Sequence, residues 1–251
     1  MPQEAYDQQS YRCQLGWSER GAREAAARGD VVVIVDVLRF STAVGAAVER
    51  GAAIHPCGLD DDLPALARYY DAELAVSGSR APAERRFSLS PSSFAGVAPG
   101  ARVVLPSANG AVCAGIAGDA PHVFAGALVN ARAVAAAVSA AVNAGGLGVT
   151  LVACGERWPA ASSEGSLRFA IEDYLGAGAV LSHLDFDKSP EALVCERAFA
   201  ASRDDLLELL LECGSGRELR AKGLEQDVRD AARLEVYASA PVMRDGAFVR
   251  A

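Results

Sequence analysis

Short apolar runs recur along the first two thirds of the chain. Val31–Val35 is five consecutive β-branched residues, and Leu74–Val76, Arg102–Leu105, His122–Phe124 and Val149–Ala153 have the same near-continuous apolar character. A strand with one wet face alternates, whereas a strand covered on both faces does not, so these runs predict a parallel sheet buried between helices. The stretches between them have helical character. Ser41–Arg50 starts at a capping hydroxyl and stops before Gly51. Asp60–Asp71 opens with acidic residues that suit a helix N-terminus. Asn109–Ala117 and Asn130–Ala144 are rich in alanine, the strongest helix former, and the second stops at Gly145-Gly146. This β-α-β-α rhythm predicts an α/β fold with a mainly parallel sheet.

The C-terminal third reads differently. Ser166–Leu184, Glu191–Phe199 and Asp204–Glu212 are predicted helices, Gly223–Leu234 adds another, and Pro241–Val249 suits a short edge strand. Two loops stand out: Ser79–Gly100, rich in Pro, Gly and Ser and carrying Arg80, Arg85 and Arg86, and Gly155–Gly165. Long loops in compact domains are often functional. The expectation is a single domain over residues 1–251, with a subdivision conceivable near 155–165.

Composition narrows the function classes. With 24 Lys+Arg against 32 Asp+Glu, the net charge of −8 argues against a nucleic-acid binder, which needs a basic face. No run approaches 18 apolar residues without a charge or glycine, and the N-terminus lacks the basic and apolar regions of a signal peptide, so neither a membrane span nor export is expected. The six cysteines form no C-x-x-C pair and do not cluster with His55, His122 or His183, which disfavours zinc and suits a reducing, cytoplasmic location.

The chemistry collects at strand ends. In an open parallel sheet, ligands bind beyond the carboxyl ends of the strands. The first run is followed by Asp36-Val-Leu-Arg39-Phe-Ser41-Thr42, the second by Ser77-Gly78-Ser79-Arg80, the third by Pro106-Ser107-Ala-Asn109-Gly110, the fourth by Gly126 and then Asn130, and the fifth by Cys154-Gly155-Glu156-Arg157. A carboxylate at Asp36 suits Mg²⁺. Arg39 and Arg80 can hold phosphate oxygens as forks, and the helix starts at Ser41-Thr42 and Asn109-Gly110 offer free N–H groups to an anion. Each has a plainer reading: Asp36 as a buried turn acceptor, Arg39 as its ion-pair partner, Ser41, Thr42, Ser107 and Asn109 as ordinary caps. Glu172 and Asp173 are adjacent on a helix, about 100° apart, so at most one faces a site squarely unless both reach a shared metal. A plain exposed helix face is the simpler reading for them, and Asp227 is similar and weaker.

Taken in order, Asp36-Val-Leu-Arg-Phe-Ser-Thr42, Ala108-Asn-Gly110, Val129-Asn-Ala131, Ile171-Glu-Asp-Tyr-Leu-Gly-Ala-Gly178 and Gln226-Asp-Val228 resemble the motifs of the 2-phosphosulfolactate phosphatase (ComB-like) family, over about residues 10 to 245. The resemblance implies a three-layer α/β/α fold and Mg²⁺-dependent hydrolysis of 2-phospho-3-sulfolactate to sulfolactate and phosphate, a step toward coenzyme M in some archaea. It implies catalytic roles for Asp36, Arg39, Asn109 and Asn130. Substrate binding falls to Arg39, Ser41, Thr42, Arg80, Ser107, Asn109 and Gly110. Metal binding falls to Asp36, Glu172 and Asp173, with Asp227 a weaker candidate. The expected partner is a small phosphorylated acid, a homodimer is compatible with the reading, and neither nucleic acid nor membrane is expected.

The chain departs from the family pattern. Gly78-Ser79-Arg80 stands where the family has Gly-Glu-Arg, and Leu89-Ser90-Pro91 where it has Asn-Ser-Pro. A carboxylate and an amide are lost, which Glu84 or Glu156 could replace. Two alternatives stay open: a member that binds a small anion without turnover or with a shifted substrate, and a cysteine hydrolase of isochorismatase-like type using Cys154. The second lacks its lysine, since Lys188 and Lys222, the only lysines, lie in the helical third.

Overall fold

The computed structural model describes residues 7–76, 86–162 and 165–251, with the side chains of 159–162 and 165 excluded. The strands are β1 (Cys13–Trp17), β2 (Val31–Val35), β3 (Ala53–Cys57), β4 (Glu73–Leu74), β5 (Arg102–Pro106), β6 (His122–Gly126), β7 (Val149–Ala153), β8 (Glu156–Ser162), β9 (Gly165–Arg168), β10 (Pro241–Arg244) and β11 (Ala247–Arg250). Among the described residues, nine of them form one sheet in the order β1-β7-β2-β6-β10-β11-β3-β5-β4. β1, β7, β2 and β6 pair in parallel, as do β3, β5 and β4. The antiparallel hairpin β10–β11 joins the two parallel halves, pairing with β6 through Val242 and with β3 through Phe248.

The tail 241–249 is therefore not an edge strand. It fills the centre of the sheet. Its turn, Asp245-Gly246, has positive φ at both residues (49° and 76°), the conformation that a two-residue hairpin loop demands.

The helices are α1 (Ser18–Arg28), α2 (Phe40–Glu49), α3 (Leu63–Tyr69), α4 (Gly110–Ile116), α5 (Ala131–Gly145), α6 (Ile171–Leu181), α7 (Pro190–Ser202), α8 (Leu206–Glu212), α9 (Gly214–Ala221) and α10 (Glu225–Ala231). They make the sheet the middle of three layers. In β2, Val31, Val33 and Val35 belong to a core shared with α5, α6 and α7, whereas Val32 and Ile34 belong to a core shared with α1, α2 and α4. Every residue of β2 is buried because the strand has no solvent face. The segment Leu128–Gly145 is long and apolar enough to cross a membrane by composition, but Val134, Ala135, Val138 and Val142 of α5 lie in this core.

Several elements escape the apolar-run pattern. α1 is Arg- and Glu-rich with a narrow buried stripe of Gly21, Ala22 and Ala25. β3 carries His55 and Pro56. The predicted helix 166–184 begins only at Ile171, because 165–168 pair with β8. That pairing also turns the expected loop 155–165 into a two-stranded ribbon separate from the large sheet.

Candidate active site

Asp36 ends β2, where the chain leaves the sheet toward α2. Its carboxylate is nearly buried and is held from two directions. Oδ1 accepts from the backbone N–H of Phe40 at 3.2 Å, and Oδ2 from that of Gly110 at 2.8 Å, with the Ser107 hydroxyl at 3.5 Å. Gly110 is required by this approach: a Cβ there would stand 2.4 Å from the Phe40 ring and 2.7 Å from Asp36 Oδ2. Asp36 is thus the turn acceptor of the plainer reading, and it also lines a cleft.

That cleft has a volume of about 280 Å³ and is walled by Asp36, Arg39, Ser107, Asn109, Glu156 and the α9 face that ends at Lys222. Asn109 Nδ2 donates to Glu156 Oε2 at 3.1 Å, which ties the start of α4 to β8. Arg157, next along β8, pairs with Glu19. Arg39 Nη1 donates to Asp227 Oδ2 at 2.6 Å and to the Ser90 hydroxyl at 3.3 Å. A wider hollow of about 470 Å³ opens near the starts of β1 and β7, but Arg28 there is committed to Asp30 and Thr150, and among the described residues none of the sequence candidates lines it.

Behind Asp36 lie the carboxylates of α6. Asp173 accepts from the N–H groups of Val37 (2.7 Å) and Gly155 (2.9 Å), so it clamps the ends of β2 and β7 together. Gly155 has φ 68°, and a Cβ there would meet the Leu167 side chain at 2.5 Å. Glu172 is buried beside it, so the plain exposed helix face does not describe this pair. Burial pushes the carboxyls of Asp36 and Asp173 above the usual range, with the Glu172 charge adding to both. Glu156 is pushed up to about 7, first by burial and then by Asp36 and Glu172.

This donor set is all hard oxygen, which suits a hard divalent cation such as Mg²⁺ and not zinc. The raised proton affinities of Asp36, Asp173 and Glu156 mark a place of concentrated negative charge where a cation would be stabilised. Among the described residues, no three Asp, Glu, His or Cys side chains converge as a ready-made ion cage.

The other candidates fall elsewhere. The Ser41 hydroxyl donates to the Ile34 carbonyl and that of Thr42 to the Val37 carbonyl; both are fully buried and lock the β2–α2 turn. Asn130 is fully buried, accepting from the Ala127 N–H and donating to the Ala125 carbonyl, and it shapes the turn after β6. Asp227 faces Arg39. Arg80, with Ser79 and Glu84, lies outside the described residues. The Cys154 thiol is buried and held protonated, first by burial, then by Cys113, Asp36 and Asp173, the opposite of what a thiolate nucleophile needs. Sequence reasoning gave Glu156 only a stand-in role and missed Ser90 as a site residue. Their signals were a carboxylate one glycine beyond a buried strand and a serine fixed before proline.

A family model described as 2-phosphosulpholactate phosphatase matches residues 19–246. The chain belongs to the 2-phosphosulfolactate phosphatase family. A 2-phosphosulfolactate phosphatase of Methanocaldococcus jannaschii is 33% identical over 132 residues, which are 51% of this chain and 50% of that protein. The match thus spans about half the length of that curated relative. The family assignment agrees with a carboxylate-and-arginine cleft and leaves the buried Cys154 without a nucleophilic part.

Proposed function

We propose that this protein is a cytoplasmic, Mg²⁺-dependent phosphatase of small acidic phosphate monoesters, with 2-phospho-3-sulfolactate as the first substrate to test. The observation that carries the reading is the cleft itself: Arg39 beside Asp36 and Glu156, at the carboxyl edge of a parallel sheet, in a chain of this family. Phosphoryl transfer needs mostly positioning and charge neutralisation. Arg39 binds phosphate oxygens, and Asn109 fixes Glu156 through its amide. Glu156, with its carboxyl near neutrality, takes a proton from the attacking water. Asp36 and Glu172 are the residues that would hold Mg²⁺, with waters completing its shell, while Asp173 orients the surrounding backbone. When bound, the ion lowers the pKa of water and offsets charge on the phosphoryl group.

The test is phosphate release from a panel of small phosphorylated acids with and without Mg²⁺. Metal-dependent release from 2-phosphosulfolactate is the expected result. Binding of the panel without release from any member favours the reading as a non-hydrolytic anion binder.

A further inference from the structure

Ser90 and Asp227 lie 137 residues apart in the chain, yet they close a triangle with Arg39. The Ser90 hydroxyl donates to Asp227 Oδ2 at 2.7 Å, and Arg39 Nη1 donates to both. Arg39 and Asp227 side chains are only 12% and 4% exposed, so the pair sits where charge is poorly screened. Among the described residues, Arg39 Nε and Nη2 have no hydrogen-bond partner, and Arg39 lines the cleft. One corner of the guanidinium is fixed while its other donors are left for a ligand.

The segment that presents Ser90 is built to be rigid. The Ser93 hydroxyl donates to the Ser90 carbonyl at 2.7 Å, the Ser90 N–H donates to the Ser88 hydroxyl at 3.1 Å, and the Ser88 N–H donates to the Ser93 hydroxyl at 3.2 Å. Pro91 follows, opening a short 3₁₀ turn, Pro91–Phe94. Phe87 and Phe94 stack with centroids 5.1 Å apart in the core and pin the segment at both ends. A segment needed only as a connection would not require two serine side chains, Ser88 and Ser93, bonded to neighbouring backbone and a third, Ser90, bonded to a buried ion pair.

We propose that Ser90 and Asp227 are positioning residues that hold the Arg39 guanidinium in the orientation in which it receives an oxyanion of the substrate. The proposal rests on the reading of the cleft as a phosphate site. Asp227 neutralises Arg39 in the absence of ligand and fixes one edge. Ser90, as donor to Asp227 and acceptor from Arg39, removes the remaining freedom of rotation. Arg39 is the group that touches substrate; the other two act through it.

The experiment is titration of inorganic phosphate into the Mg²⁺-supplemented full chain by calorimetry, with KM, kcat and Tm measured on the same variants. Ser90→Ala should weaken phosphate binding about tenfold and raise KM with little change in Tm, and Ser90→Thr, which keeps the hydroxyl, should return both to within about threefold of the parent; bonds to charged groups of this kind carry such effects. Asp227→Ala makes the cleft more positive, so charge alone would tighten phosphate binding, whereas lost positioning weakens it. Unchanged phosphate affinity and KM in Ser90→Ala, or tighter binding in Asp227→Ala, would overturn the positioning role. Failure of the parent chain to bind phosphate would instead reject the reading of the cleft, and the proposal with it.

Discussion

The backbone N–H of Gly110 donates to Asp36 Oδ2 at 2.8 Å across 74 residues of chain. This bond joins the turn after β2 to the start of α4 and so closes one side of the cleft. It exists because residue 110 has no Cβ to strike Phe40 and Asp36. Gly110→Ala forces one of those groups away, and overpacking of this kind costs about 1–3 kcal/mol. The expected outcome is a Tm lower by about 3–10 °C and phosphate release reduced tenfold or more, read by thermal unfolding and a phosphate assay on one preparation. A variant with parental Tm and activity would show that the contact is dispensable.

Asp36→Asn keeps the shape of the side chain and an acceptor for one of its two backbone donors, and it removes the charge. Turnover should fall by at least a hundredfold while the circular dichroism spectrum stays that of the parent. Hydrolysis near the parental rate would remove Asp36 from the reaction.

Glu156 gives the stability a pH dependence with a defined sign. Its carboxyl titrates near 7 in the folded chain, above the ordinary 4.5. The folded state therefore binds this proton more tightly than the unfolded chain does, and the associated stability is present below about pH 4.5 and lost as the pH rises through 7. Asp36 and Asp173, also raised, add in the same direction. Glu156→Gln should raise the Tm at pH 8 relative to the parent and change it little at pH 5. In kcat/KM, the acidic limb near pH 7 should disappear with the residual activity. Equal Tm differences at both pH values would contradict the raised carboxyl.

Mg²⁺ should act on the same buried charges. It should raise the Tm more at pH 8, where protons compete less for these carboxylates, than at pH 5. Excess EDTA should abolish hydrolysis and reverse the Tm gain. Full activity in EDTA would exclude the metal role.

Cys154→Ala should leave phosphate release within about threefold of the parent, since its thiol is buried and protonated. A loss of several hundredfold with the fold intact would revive a thiol nucleophile.

Much of the candidate site was legible because strand ends in a parallel sheet have one address. Asp36, Arg39, Ser107 and Asn109 follow apolar runs and meet at one cleft. Asn130, Ser41 and Thr42 have the same sequence position relative to their strands but turn inward, because backbone groups nearby were left without partners and these short polar side chains supply them. A sequence shows the presence of a hydroxyl after a strand, not which carbonyl it will meet.

The chain's own pattern determined the layered α/β architecture, since β2, apolar throughout, and β7, apolar but for Thr150, can be accommodated only between two helical layers. Local chemistry likewise set the Asp245-Gly246 hairpin turn. Tertiary structure alone decided that this hairpin stands at the centre of the sheet, where its backbone donors and acceptors complete two parallel halves that would otherwise end in open edges. It alone brought Ser90 and Asp227 onto Arg39, and set Glu156 beside Asp36, where burial and like charge carry its carboxyl to about 7. Such contacts span many tens of residues, and their energies come from desolvation and proximity, quantities that no local stretch of sequence contains.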